Sequence, residues 1–406
     1  MNRVSRFFGK LSLKPQGVTL VTAAFLPIFA IVSMFPIVAS MIGHFASDPD
    51  AKAKVPLMVT APGLTIAILA PFAGFFVDRF GRRRLLLVCT FFYGLFGTAP
   101  FFLDDLDHIF VSRLLLGVSE AGILTIVNTL IADYWEDEGR RNWLFLQGVV
   151  GPFLASGVVL MSGLVASARW NGGFLVYLVA FPIFLAMLAY LYEPKAPEDR
   201  ADEAGKPAPL PSVDGARSPF PFAAAAAVAA VTLFSSALYY VFIVNGSIAF
   251  GEIGVGDPAA VAKMSFLPSL FVILGALIFR LMSGRSNAAQ IGVFFAILGS
   301  GLAMIGLARG PAGMIAGLCV QQTGAGMAVP MLVAWAQTKF PFEHRGRGMG
   351  LWTGAFFFGQ FVSPWLVHRL NLATGTMQGA FLASGVAALL ATLVAFGMAA
   401  RRRRPA

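Results

Sequence analysis

The chain alternates long apolar runs with short polar ones along almost its entire length. Twelve runs of about 20 residues or more stand out, at about 17–43, 55–77, 84–103, 109–132, 142–167, 171–192, 220–246, 260–283, 289–308, 311–336, 347–368 and 375–399. A helix rises about 1.5 Å per residue, so each run can cross the roughly 30 Å of bilayer hydrocarbon. The pattern predicts an all-α integral membrane protein with twelve transmembrane helices. Only Ala308-Arg309-Gly310 separates the ninth run from the tenth. One interval breaks the rhythm: residues 193–219, EPKAPEDRADEAGKPAPLPSVDGARSP, are rich in Pro and charge and poor in aromatics. That composition reads as a flexible linker. It divides the chain into an N-terminal six-helix bundle (1–192) and a C-terminal six-helix bundle (220–406).

Composition agrees with the pattern. Of 406 residues, 57% are hydrophobic and 12% charged, against roughly 25% charged in a soluble domain. A net charge of +10 suggests a nucleic-acid partner until the charges are placed on the loops. With a cytoplasmic N-terminus, 23 of the 30 Lys and Arg fall on the cytoplasmic side. They lie in the N-terminal tail, the even-numbered loops, the linker and the tail Arg401 to Arg404. Lys52, Lys54, Arg169, Lys263, Arg309 and Arg369 fall outside, and Arg113 lies in the membrane. This is the positive-inside distribution; it predicts cytoplasmic termini and needs no nucleic acid. Cys89 and Cys319 both fall in predicted spans, so no disulfide framework is implied. The first run is too long for a signal-peptide core and lacks a small-residue cleavage pattern, so it reads as a retained helix.

Arg113 and Glu120 are the only charged residues that no placement of the spans moves out of the membrane. At about 100° per residue, a seven-residue spacing leaves them only about 20° apart around the helix. Charges at this depth cost about 2.5–3.5 kcal/mol on insertion scales and usually serve ion or substrate handling. The fourth run passes from outside to inside, which puts Glu120 roughly 16–18 Å from its outer end, near the bilayer middle. Low dielectric disfavours the carboxylate and a nearby guanidinium favours it, so the charge of Glu120 can switch as water access alternates. The plainer reading is a static ion pair between helices.

The halves carry a trace of duplication. Glu138-Gly-Arg-Arg-Asn-Trp-Leu-Phe-Leu-Gln-Gly148 returns 206 positions later as His344-Arg-Gly-Arg-Gly-Met-Gly-Leu-Trp-Thr-Gly354, with Arg141 on Arg347 and Gly148 on Gly354. Duplicated halves are a recurring plan of secondary transporters. The charged pair is not duplicated: the same shift sets Arg113 on Cys319 and Glu120 on Gly326.

The second loop reads Gly74-Phe-Phe-Val-Asp78-Arg79-Phe80-Gly81-Arg82-Arg83-Arg84. Gly81 suits a tight turn, Asp78 suits the exposed N–H groups of a neighbouring helix start, and Asp133 at the end of the fourth helix is a carboxylate within reach of the arginines. This loop, in a 6 + 6 chain, strongly resembles the major facilitator superfamily signature G-x-x-x-D-R-x-G-R-R/K, with every fixed position present. The resemblance implies that Gly74, Asp78, Arg79, Gly81 and Arg82, with Asp133 as partner, are gating residues of a latch between halves. The matching eighth loop, Arg280-Leu-Met-Ser-Gly-Arg285, lacks the acid. Arg113 and Gly117 resemble the family's fourth-helix motif, which implies a part in proton transfer for Arg113 and, beside it, Glu120.

Gly148-Val-Val-Gly151-Pro152-Phe-Leu-Ala-Ser-Gly157 in the fifth run resembles the family's antiporter motif, with one residue too few between the first glycines and no Gly-Gly pair after the Pro. In the family, helices 1, 4, 7 and 10 line a central cavity. That makes Asn128, Tyr239, Tyr240, Gln321 and Gln322 candidate cavity residues. Taken alone, each such side chain is more often an interhelical hydrogen bond.

An integral-membrane enzyme is the competing class. Asp104-Asp105-Leu-Asp107 is a single acidic cluster, and His44, His108, His344 and His368 fall at helix ends or in loops, so neither a metal triad nor an acid–base pair assembles. No repeated polar ring suggests a channel filter. The expectation is a monomeric, proton-coupled transporter of a small organic solute in a bacterial inner membrane, with a lean to export by antiport. It needs no cofactor beyond the proton gradient and no nucleic-acid partner. Uptake of an organic anion of the carboxylate or siderophore type, with Arg113 as anchor, is the alternative; a non-transporting solute sensor is more remote.

Overall fold

The computed structural model describes residues 14–72, 79–135, 137–194, 219–341 and 344–401. The described residues are helical with short connections. In chain order the long helical segments are α1 (Pro15–His44), α2 (Ala51–Phe72), α3 (Arg82–Phe102), α4 (Leu106–Tyr134), α5 (Asp137–Ala168) and α6 (Gly172–Tyr190). After the linker come α7 (Phe222–Glu252), α8 (Pro258–Leu281), α9 (Asn287–Gly306), α10 (Pro311–Gln337), α11 (Arg345–Thr374) and α12 (Met377–Arg401). Among the described residues, eleven helices are long and apolar enough to cross a membrane. The expected span at 347–368 lies in α11, which has the length, at 30 residues, but is diluted in hydropathy by Gly, Trp and Gln360. Of the linker 193–219, only Glu193, Pro194 and Pro219 lie within the described residues.

Local chemistry accounts for where these helices start and break. The Asp105 carboxylate caps α4 by accepting from Asp107 N and His108 N at 3.0 and 2.9 Å, which satisfies two of the orphan donors of a helix start. Asp257 caps α8 from Ala260 N at 2.9 Å, with Pro258 in the first turn, a position where a missing N–H costs nothing. Proline interrupts the helices elsewhere. α1 is interrupted at Phe25, ahead of Pro27, and again by a 3₁₀ turn over Phe35–Ile37 that contains Pro36.

The buried apolar side chains fall into two clusters. One draws on α1 to α6 and includes Leu20, Met58, Ile123 and Phe174. The other draws on α7 to α12 and includes Val228, Phe294, Leu318 and Phe381, joined by Ile31, Phe35 and Val159 from the first half. These three mark the seam. At the end of the bundle away from the chain termini, the far end, the halves close on each other. The Phe35 and Phe242 rings meet at 5.0 Å, and Ser167 Oγ donates to Asp257 Oδ1 at 2.8 Å while accepting from Ala259 N at 3.0 Å. Gly163 is what lets α5 approach α8 there: a Cβ at that position would stand 2.6 Å from Pro258 O.

Candidate functional site

Between the two clusters lies a cavity of about 600 Å³, walled by α1, α4 and α5 from one half and α7, α8 and α10 from the other. Closure at the far end leaves it open toward the end that carries the termini, where the wall residues Ile28 and Val329 are 42% and 39% exposed. Its rings are Phe25, Phe35, Tyr239 and Phe242, and its polar groups are Asn128, Gln147, Gln322 and three serines, Ser156, Ser265 and Ser269. Among the described residues, no Lys, Arg, His, Asp or Glu lines it. Of the five cavity candidates from the sequence, Asn128, Tyr239 and Gln322 line the wall; Tyr240 and Gln321 do not. Adjacent helical residues point about 100° apart, so only one of each neighbouring pair faces the cavity. Tyr240 packs its ring 5.8 Å from that of Phe356 on α11, and Gln321 is fully buried with neither amide atom partnered among the described residues.

The intramembrane charges stand apart from this cavity. Arg113 is 0% exposed and Glu120 3%, and neither lines the wall. They form no ion pair with each other, so a static pair is not what fixes α4. Arg113 Nη2 donates to the Tyr177 hydroxyl instead, and its guanidinium lies 4.8 Å from the Tyr177 ring centre and 5.7 Å from that of Phe174, a cation–π arrangement. The Tyr177 hydroxyl in turn donates to Ala30 O at 2.6 Å. That carbonyl is available because α1 is broken just beyond it: Met34 N bonds Ile31 O at 3.3 Å, a tighter turn than the helix would make. Tyr93 on α3 donates to Leu26 O at 2.5 Å, one turn earlier. Two buried tyrosines thus hold the interrupted first helix, and one of them also holds Arg113. Arg113 Nε and Nη1 and Glu120 Oε1 have no hydrogen-bond partner among the described residues. Glu120 is in electrostatic reach of Arg113, Tyr93 and Tyr177 in its own half and of Tyr240 across the seam.

A second cluster sits at the end that carries the termini. Gly81 has φ +81°, the left-handed turn that starts α3 and that a side chain would strain. Arg82 pairs with Asp133 at the end of α4, bringing together two residues expected to act at the latch. Glu193, the first linker residue, accepts from Arg82 N at 2.6 Å and Arg83 N at 3.0 Å, a carboxylate at the positive end of α3. Arg83 Nε donates to Leu191 O at 2.7 Å, and the Tyr134 and Tyr192 rings stack at 4.4 Å. The end of α6 is therefore tied to the first turn of α3 and the last turn of α4. Arg79 is exposed; Gly74 and Asp78 lie outside the described residues.

Sequence reasoning missed Tyr177, Tyr93, Glu193 and the three serines. Only Glu193 left a signal: α3 begins Gly81-Arg82-Arg83 with no acid of its own in the first turn, so its exposed N–H groups call for a carboxylate from elsewhere.

Comparison with known proteins places this architecture. The family model described as Major Facilitator Superfamily matches residues 19–308 and 255–406. The chain belongs to the Major Facilitator Superfamily. Its relatives are transporters, not enzymes. The 3-(3-hydroxy-phenyl)propionate transporter of Escherichia coli is 27% identical over 342 residues, covering 82% of this chain and 81% of that protein. Multidrug resistance protein 1 of Bacillus subtilis is 27% identical over 42% of this chain, and the Bacillibactin exporter of the same organism 31% identical over 29%. The chain spans only 43% and 31% of the length of these last two. Among solved structures, the nucleoside transporter NupG superposes with a TM-score of 0.73 at 11% identity, over 94% of this chain and 99% of that one. The human organic anion transporter MFSD10 superposes with a TM-score of 0.65 at 16% identity, over 94% and 99%. At these identities the superpositions establish the facilitator fold.

Proposed function

We propose that this facilitator is a proton-coupled secondary transporter that moves a small organic amphiphile, uncharged in its binding cavity, across a bacterial inner membrane. It works by alternating access between two six-helix halves, with twelve spans and both termini in the cytoplasm, and functions as a monomer. The observation that carries the reading is the separation of two environments. A cavity of about 600 Å³ without a charged side chain suits an apolar solute, while a carboxyl buried behind its wall suits a proton. A bound charge in such a cavity would lose its hydration with nothing to replace it. With cytoplasmic termini, the cavity opens inward and the far end is the closed outer side. Glu120 then binds and releases the coupling proton, Arg113 modulates it, and Tyr177 transmits the state of Arg113 to the break in α1. The α2–α3 loop, with Arg82, Asp133, Arg79 and the signature residues Gly74, Asp78 and Gly81, acts as the inner latch. The Bacillibactin exporter among the relatives supports a lean to export.

Uptake of an aromatic acid is the second reading. It is favoured by the relative named for 3-(3-hydroxy-phenyl)propionate, matched over 81% of its length, and by the unpartnered donors of Arg113. Reconstituted liposomes with an internal pH dye separate the two readings. With solute added outside, antiport carries it inward in exchange for protons moving out and alkalinises the interior, driven by neutral amphiphiles. Uptake gives acidification inside, driven by carboxylates. No solute-dependent proton movement with any compound would refute proton-coupled transport.

A further inference from the structure

The polar groups of the cavity are not scattered. Ser156 on α5 and Ser265 and Ser269 on α8 stand together on the wall where the two halves meet, and Ser156 Oγ lies 2.5 Å from Ser269 Oγ across the seam. Their protons can be counted. Ser156 Oγ is 2.8 Å from Pro152 O and Ser269 Oγ 2.7 Å from Phe266 O. Two hydroxyl protons are therefore available for three contacts, one to each carbonyl and one between the serines, and only two of the three can be made at once. Each oxygen carries two lone pairs, and at most one of the four is used. Ser265, one turn before Ser269, is 4% exposed, and its Oγ has no partner among the described residues. An unmet buried hydroxyl is a costly thing to keep. The patch thus has surplus acceptors and one uncommitted hydroxyl, set in a wall that also carries the rings of Phe35, Phe242 and Tyr239.

A solute that fits this wall presents a flat apolar body to the rings and a neutral hydrogen-bond donor to the serines. We infer that the transported solute is an uncharged hydroxylated aromatic compound, and that Ser265, with the Ser156–Ser269 pair, is the specificity determinant that reads its hydroxyl. The inference rests on the cavity being the solute site, as proposed above. A phenolic hydroxyl donates to the surplus acceptors and accepts from Ser265. An ether at the same place has no proton to give, and a carboxylate brings a charge that no cationic side chain meets. Sites that hydrogen-bond a substrate hydroxyl reject analogues lacking it more strongly than apolar pockets discriminate by size. Since Ser156 and Ser265 come from opposite halves, the same hydroxyl also bridges the seam.

The test uses the full chain in lipid nanodiscs, with equilibrium binding of 4-phenylphenol, 4-methoxybiphenyl and biphenyl-4-carboxylate corrected for empty discs. The expected result is that 4-phenylphenol binds about tenfold more tightly than either analogue. Ser265→Ala lowers its affinity about fivefold and leaves that of biphenyl, a fourth probe with no oxygen to accept from Ser265, unchanged, and Ser265→Thr restores the affinity. Equal binding of phenol and ether, or equal losses for phenol and biphenyl in Ser265→Ala, would overturn the hydroxyl reading. Val329→Trp, which fills the mouth of the cavity, tests the premise separately. If phenol binding survives it undiminished, the cavity is not the site and both readings fall. If it abolishes binding of a carboxylate that outcompetes the phenol, the cavity stands and the hydroxyl inference falls.

Discussion

Closure of the far end depends on a missing side chain, and the prediction from it can be worked numerically. At Gly163 an added Cβ would lie 2.6 Å from Pro258 O, inside the 3.0 Å that real Cβ atoms keep. The obstacles are Ala262 Cβ, at 2.4 Å, and the backbone at the start of α8, and neither has a rotamer change to relieve the clash. Gly163→Val must therefore push α5 from α8. Overpacking of this kind costs about 1–3 kcal/mol, and it acts only where the two helices are in contact. The conformation closed at the far end loses that amount relative to the one open there, which shifts the equilibrium roughly 5- to 150-fold. Gly157→Val on the same helix is the control, because nothing lies within 4 Å of a Cβ there, while the helix-propensity change is the same. Double electron–electron resonance between labels at Ala168 and Lys263, both exposed at the far end, reads the separation directly. The expectation is a new longer-distance population and slower turnover in Gly163→Val, and neither in Gly157→Val. An unchanged distance distribution in a folded Gly163→Val protein would show that this contact does not govern closure.

Other expectations follow from the buried charge, the cluster around Glu193 and the far-end cap. Glu120→Gln abolishes pH-gradient-driven transport and leaves solute counterflow intact; normal gradient-driven transport by this variant would remove Glu120 from the coupling mechanism. Glu193→Ala frees two N–H groups of α3 and slows turnover by roughly two- to tenfold, the scale of a lost hydrogen bond, without altering solute affinity in equilibrium binding. The Asp257 carboxyl is held below its ordinary value near 3.8, chiefly by the Ser167 hydroxyl and then by backbone N–H groups. Its contribution to the closed far end is complete above that value and lost only as pH falls through the lower one. Far-end accessibility in Glu120→Gln, measured by thiol labelling, should therefore be flat from pH 5 to about 8, and a step within that window would need another titrating group.

How much of this was legible in the sequence depends on what each feature requires. The long helices follow from apolar length alone, and the breaks in α1 from Pro27 and Pro36. Burial of Arg113 and Glu120 follows from a helix too apolar on either side to move them out. What they touch does not follow, because Tyr177 lies 64 positions away in the chain and is itself unremarkable as a residue of an apolar run. Tyr239-Tyr240 and Gln321-Gln322 show a finer limit: the sequence marks a polar pair, but only helix rotation decides which member meets the cavity. The serines were invisible for the opposite reason. Single serines are common in membrane helices, and Ser156 and Ser265 acquire meaning only once α5 and α8 are set side by side.

The diluted hydropathy of α11 bears on how the protein is made. A segment with Gln360, five glycines, two tryptophans and a proline gains little by partitioning into lipid alone. What holds α11 is protein: Ser236 Oγ donates to Phe356 O at 2.5 Å, and Ser363 Oγ donates to Ala237 O at 2.7 Å, both bonds made with α7. On the proposed twelve-span topology, its stable residence in the bilayer is thus a product of tertiary assembly. During synthesis α7 is complete well before α11 emerges, and serves as the template on which the later helix is received. Biogenesis of the C-terminal half is then vulnerable at Ser236 and Ser363, neither of which lines the cavity.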